Sequence, residues 1–188
     1  MSVHALAERR DRFVPSGLAS SEEMIRRLYA ITSDYGQGFE RQIRRTLELG
    51  CDHFGLEIGM LTRIIGERVE ILHVVAPPDA MVRKHDVFDL KETLCSLVLS
   101  EAKPVGLDRL SHGRFRIHPA HRAYGSEAYL GAPVLVEGDL FGTICFTSSY
   151  PRGRPFNDVD LDAIYLMSSW VSVEIQRRRT EVDLRAAT

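Results

Sequence analysis

At 188 residues, 44% of them hydrophobic, the chain has the size of one domain with a substantial core. Its 24 basic and 26 acidic residues leave a net charge of -2, which gives no long-range attraction to nucleic acid or to an anionic membrane. No run reaches the roughly 18 uninterrupted apolar residues of a spanning helix, and the N-terminus MSVHALAERRDRF is charged where a secretory signal would be apolar, so a cytoplasmic protein is expected.

Residues 1–20 mix charged and small residues and end in Pro15-Ser16-Gly17, the pattern of a flexible arm. Ser20 and Glu23 have capping-box spacing, and Met24, Ile25, Leu28 and Ile31 then recur at helical intervals. Gly36 and Gly38 interrupt this helix. A second apolar stripe of Phe39, Ile43, Leu47 and Cys51 stops near Gly55. From Leu56 the period changes to two: Leu56, Ile58, Met60 and Thr62, then a turn at Gly66-Glu67, then Val69, Ile71, His73 and Val75, which predicts an antiparallel hairpin.

Pro77-Pro78 ends that hairpin, and Asp89 is placed to cap a short helix over Leu90–Ser100 with Leu94, Leu97 and Val98 on one face. Lys103-Pro104-Val105-Gly106-Leu107 reads as a short strand. The polar stretch from Asp108 to Ala128, which holds His112, His118 and His121, reads as the longest loop region. Tyr129 to Thr147 is two apolar segments doubled back through Glu137-Gly138-Asp139, a second hairpin. The strand from Leu140 to Phe146 is apolar at successive positions and so is expected to be covered on both faces. Arg152-Gly153-Arg154-Pro155 makes a turn, and Asn157 caps a long last helix with Asp160 in its first turn. Along that helix Leu161, Ile164, Ser168, Val171 and Ile175 alternate in steps of three and four, and Val182 lies one further three-plus-four step on. A helix of roughly 30 residues, with Tyr165 and Trp170 adding apolar area, suggests pairing with a second chain. The expected boundaries are an arm at 1–20, one domain at 21–180 and a frayed tail at 181–188.

This order resembles a GAF domain. The resemblance spans roughly residues 22 to 180 and rests on a succession: the Leu56-to-Ile65 strand, Glu92-Thr93-Leu94-Cys95-x-x-Val98, Lys103-Pro104-Val105, Tyr129-x-Gly131-Ala132-Pro133-Val134, Gly138, Gly142 and Phe156-x-x-x-Asp160. It implies an α+β fold, α/β/α sandwich-like, with a central antiparallel sheet of about five or six strands. Terminal helices would cover one face, and short helices and loops would enclose a small-molecule pocket on the other.

The family's best-defined chemistries each make a demand on the sequence. Phytochrome-type members hold a bilin, in many cases through a thiol that would fall within Ile117-His118-Pro119-Ala120-His121-Arg122-Ala123-Tyr124, where this chain has none. Covalent attachment there is excluded. The free methionine sulfoxide reductase of the family needs a nucleophilic thiolate near the same place, where His121 stands; Cys95 falls close to another of its cysteines. His112, His118 and His121 invite haem or metal binding, but only His118 and His121, three apart, could share a helix face, and a third ligand would have to come from distant carboxylates such as Asp108 or Glu127. Of the Asn-Lys-Phe-Asp-Glu signature of cyclic-nucleotide binders, only Phe156 and Asp160 remain. Cys51, Cys95 and Cys145 show no CxxC spacing, so neither a disulfide framework nor a zinc site is indicated.

The resulting expectation is a non-enzymatic sensory and signal-transduction module. Its ligand, of unknown identity, would contact Cys95, Arg114, His118, His121, Tyr124 and Tyr129. It would use no catalytic residue, metal, nucleic acid or membrane. It would form a homodimer through its terminal helices and, if this is the whole protein, act on a separate output protein, since no kinase, cyclase or DNA-binding pattern is present. A GAF-type free methionine sulfoxide reductase, and a haem- or bilin-binding sensor, are the alternatives.

Overall fold

The computed structural model describes residues 21–188. Ser20 and the expected arm lie outside that range. Helix α1 (Ser21–Thr32) buries Met24, Leu28 and Ile31, whereas Ile25 is 53% exposed and shares the outer face with Tyr29. The expected apolar stripe is therefore narrower by one residue. A 3-10 turn (Tyr35–Gln37) leads into α2 (Phe39–Phe54), whose Phe39, Ile43, Leu47 and Cys51 are all buried as the spacing predicts. Gly55 ends α2 in the left-handed conformation, at φ 69°. The buried Gln42 donates from Nε2 to the carbonyls of Ile31 and Thr32, each at 3.2 Å, satisfying the end of α1 from inside α2.

Strands β1 (Ile58–Ile65) and β2 (Arg68–Val75) form the first hairpin. Leu61 pairs with His73 and Thr62 with Ile71, which leaves Leu72 as an extra residue in β2. That bulge divides the expected set: Val69 packs in the core on one side of the sheet, while Val75 packs on the other and His73 sits edge-on to Phe39 of α2 at 5.7 Å. A short strand β3 (Val87–Asp89), which the sequence pattern did not reveal, pairs with β2.

The helix expected over Leu90–Ser100 is broken in two. Asp89 caps a 3-10 turn (Leu90–Glu92), accepting from the Lys91 amide at 3.0 Å. The extended Thr93 then separates it from α3 (Cys95–Glu101). Strand β4 (Val105–Leu107) follows, and the 108–128 region folds into two 3-10 turns (Leu110–His112 and Arg114–Ile117) and α4 (Pro119–Arg122). The second hairpin joins β5 (Ala128–Val136) to β6 (Asp139–Ser148) through Glu137 and Gly138, whose φ values of 55° and 84° match a two-residue turn of the primed type. Helix α5 (Asp158–Ala187) runs for 30 residues, and every side chain from Arg177 on is exposed.

The six strands form one antiparallel sheet in the order β3-β2-β1-β6-β5-β4. Its faces bury separate cores. On one side α1, α2 and α5 cover Leu61, Leu130, Ala132, Val134, Ile144 and Phe146. On the other, α3, the 3-10 turns and α4 cover Val69, Tyr129 and Cys145.

A buried ion network closes the helix side at one end. Arg152 donates to Asp160 at 2.8 Å and from Nε to the Phe54 carbonyl at 2.9 Å, while Arg154 donates to Asp160 at 2.9 Å. Asn157 and Asp160 form a reciprocal capping box, so one carboxylate both starts α5 and ties it through Arg152 to the end of α2.

Candidate functional site

Alternation along β6 sends Ile144 and Phe146 to the helix side and Thr143 and Cys145 to the opposite face. There the hydroxyls of Thr143 and Thr62 lie 2.8 Å apart, and the Thr143 amide donates to Thr62 Oγ1 at 3.1 Å. The chain of polar atoms continues from Thr143 Oγ1 to Cys95 Sγ at 3.3 Å, and the Tyr129 hydroxyl donates to the same sulfur at 3.9 Å. All five residues, Thr62, Cys95, Tyr129, Thr143 and Cys145, are buried. Tyr129 folds its ring over Gly131, two residues further along the same face, so closely that a Cβ there would collide with the phenol.

The two thiols of this group are electrostatically unequal. The neighbouring Cys145 thiol is the largest influence on Cys95 and, with the Thr143, Tyr129 and Thr93 hydroxyls, outweighs burial to draw the Cys95 thiol below its ordinary range. The proximity of Cys95, together with burial, pushes Cys145 well up. Burial does the same to the Tyr129 phenol. Cys51, on the helix side, is pushed up to about 12 by burial and by Asp52 and Glu48.

Of the six residues singled out from sequence, Cys95 and Tyr129 come together in this group. The other four sit in the outer lobe and have local partners. Arg114 lies exposed with its guanidinium 4.7 Å from the Phe115 ring. His118 caps α4, its Nδ1 accepting from the Ala120 amide at 3.1 Å, and burial lowers its pKa. His121 Nδ1 lies 2.9 Å from the Ser126 carbonyl and 3.5 Å from the Glu127 carboxylate. The Tyr124 hydroxyl donates to Glu92 at 2.8 Å, which bridges α4's end of the lobe to the turn before α3. Among the described residues no group of three or more His, Cys, Asp and Glu is arranged to hold a metal ion.

Sequence reading missed Thr62, Thr143 and Cys145. The signal was present in the period of two along β6, where Thr143 and Cys145 fall on one face and Ile144 and Phe146 on the other.

An antiparallel sheet clamped between long terminal helices and a lobe of short helical turns defines an α+β sensory-type fold. The GAF domain family model matches residues 39–175, and the chain belongs to that family. Solved structures agree on the fold. The GAF domain of a phosphoenolpyruvate-protein phosphotransferase from Coxiella burnetii superposes with a TM-score of 0.69 at 16% identity, over 88% of this chain and 99% of that one. A phycocyanobilin-bound GAF domain from a cyanobacterial phytochrome gives 0.67 at 15%, over 86% and 97%. The chromophore-binding domain of Stigmatella aurantiaca phytochrome P1 gives 0.65 at 12% identity, over 85% of this chain; the match spans 61% of that domain. No curated protein sequence matches the chain. Among the described residues no helix is long and apolar enough to cross a membrane.

Proposed function

We propose that the chain is a non-enzymatic, cytoplasmic sensory module that takes a small molecule between the sheet and the 77–128 segment and signals through its terminal helices. The observation that carries this reading is the buried, mutually hydrogen-bonded group of Thr62, Cys95, Tyr129 and Thr143 on the short-helix face, in a fold that a phycocyanobilin-bound GAF domain shares. Tyr129 and Cys95 line the ligand's inner wall. Arg114, His118, His121 and Tyr124 belong to the lobe that must shift to admit it.

The output runs through α1 and α5. Leu166 and Val173, seven residues apart on α5, are 44% and 64% exposed, and Ile25 and Tyr29 of α1 are exposed four residues apart. Such an apolar stripe suits a helical bundle with a second copy of the chain.

The test is native mass spectrometry with an absorption spectrum on protein purified from its native host. A colourless bound molecule on a dimer supports the reading. A Soret or bilin band replaces the colourless ligand with a chromophore, and a clean monomer mass removes the dimer. The packing of Tyr129 over Gly131 favours a second reading, in which side chains fill the ligand site and the domain works by protein contacts alone. Protein that carries no ligand, and gains no thermal stability from a metabolite library, would favour that reading.

A further inference from the structure

Cys51, Cys95 and Cys145 are all free and buried, but only Cys95 and Cys145 pack in the same core, on the short-helix face of the sheet. Cys145 lies on β6, fourth of the six strands and hydrogen-bonded on both sides. Cys95 opens α3, a seven-residue helix that packs on the sheet through Cys95, Leu97 and Val98, with Leu94 just before it. The sheet thus fixes one sulfur, and the other rides on a short element whose local opening needs few contacts to break.

We propose that Cys95 and Cys145 are a redox pair that a hydroperoxide converts to a disulfide joining α3 to β6. The Cys95 sulfur is the point of attack, because the Thr143 hydroxyl at 3.3 Å and the Tyr129 hydroxyl at 3.9 Å lie against it and, with the nearby Cys145 thiol, favour its thiolate. Cys51 has no such donors and sits on the other face, beside carboxylates. The Cys95 thiolate attacks the O–O bond of the peroxide, giving Cys95 sulfenic acid and releasing the alcohol, or water when the oxidant is hydrogen peroxide. The Cys145 sulfur then attacks the sulfenic sulfur. An S–S bond forms, the S–O bond breaks and water leaves, so two thiols and one peroxide yield one disulfide, with two electrons passing from the sulfurs to the peroxide oxygens.

Formation of the bond brings the two sulfurs to about 2.05 Å, which pulls the start of α3 toward the strand. Tyr129 and Thr143 lose the thiolate they donate to. Oxidation would therefore reset the same buried wall that the ligand reading uses, yet the chemistry needs the thiols alone and holds whether or not a ligand binds.

The experiment treats the folded chain with a few equivalents of hydrogen peroxide, removes the oxidant, and alkylates with N-ethylmaleimide in denaturant for intact-mass measurement. The alkylated thiols are expected to fall from three to one, with full recovery after dithiothreitol. Digestion should yield a linked peptide containing Cys95 and Cys145. In Cys145→Ser the reaction should stop at a sulfenic acid on Cys95, trapped by dimedone, and in Cys95→Ser both remaining thiols should persist. Circular dichroism melts establish that each variant is folded, and Cys145→Ala replaces the serine variant if that one is not. A disulfide that includes Cys51 would overturn the proposal. So would survival of all three thiols in the folded protein under conditions that oxidise the urea-unfolded chain.

Discussion

The two faces of the sheet share the same six strands and differ in what covers them. On the helix side, three helices of 12, 16 and 30 residues press on large apolar side chains, and the polar groups buried there, such as Asp160 and Gln42, are spent on capping and joining helices. On the other side the cover is a seven-residue helix, a four-residue helix and 3-10 turns, and the buried polar groups are thiols and hydroxyls bonded to one another. Long helices bury area continuously and resist local opening. Short turns can lift one at a time, which suits a site that must admit a ligand or an oxidant. On the proposed reading, the fold places stability on one face and response on the other.

The largest test of this division is truncation of Phe146, which contacts Phe54 at 5.1 Å between ring centroids and fills the space left by Gly50 and Gly59. Phe146→Ala should cost about 3–5 kcal/mol in urea unfolding, because α2 cannot settle into the void without breaking its contacts with α1 and α5. Tyr129→Ala removes as large a ring from the opposite face. There α3 and the lobe can close in, so its cost should be clearly smaller. Equal costs would break the comparison.

Next comes the carboxylate that ties α5 to α2. Burial by itself would raise the pKa of Asp160, but hydrogen bonds from Arg152 and Arg154 and from the Asn157 amide together outweigh it and hold the carboxyl below its usual range. The sign follows from linkage: the stabilisation is complete above the unfolded carboxylate value of about 3.9 and is lost as pH falls through the lower folded value. Asp160→Asn leaves the 7% exposed Arg152 without its counter-charge and should cost about 3–5 kcal/mol at neutral pH. His53 and His73, both on the helix side, have pKa values lowered chiefly by burial. Each contributes stability above its unfolded value of about 6.5 that fades as pH falls further. Urea midpoints measured from pH 7 to 5 should fall in the wild type and flatten in His53→Gln/His73→Gln.

The same division explains what was legible in the sequence. Phe39, Ile43, Leu47, Ile164 and Val171 could be read as core because a long helix imposes a period of 3.6 on whatever it buries. Ile25 has the right chemistry but falls on the outer side of α1. Along the strands, a period of two specifies faces only until an extra residue intervenes. Leu72 in β2 and Phe141 in β6 are such residues, and nothing in their identity marks them. The short-helix face was the least legible because its elements run for only three to seven residues, too few to show a period. Cys95 was visible as a candidate, but its nearest partners, Thr143 and Cys145, lie 48 and 50 positions away along the chain and are brought to it only by the fold.

A gentler change sharpens the comparison further. Tyr129→Phe removes one hydroxyl from the thiol group and keeps the ring over Gly131. With a long 3.9 Å contact to sulfur, its loss should change stability by less than about 1 kcal/mol. Its effect belongs to Cys95: with one donor fewer, the thiolate is less favoured, so alkylation of the native protein by iodoacetamide should slow and its pH profile shift upward. A profile identical to wild type would separate Tyr129 from the thiol chemistry.

The smallest stability effect is expected where neither face is involved. Leu166→Glu and Val173→Glu place charges on the outer stripe of α5, at positions that contribute little to either core, so unfolding midpoints should stay within about 0.5 kcal/mol of wild type. Their consequence is on assembly. If the terminal helices pair two copies, a glutamate at each position sets like charges against each other across the bundle, and light scattering should move from dimer toward monomer mass. If both variants and the wild type share one mass, the outer stripe of α5 has another occupant or none, and a signal leaving the responsive face must travel by a route other than helix pairing.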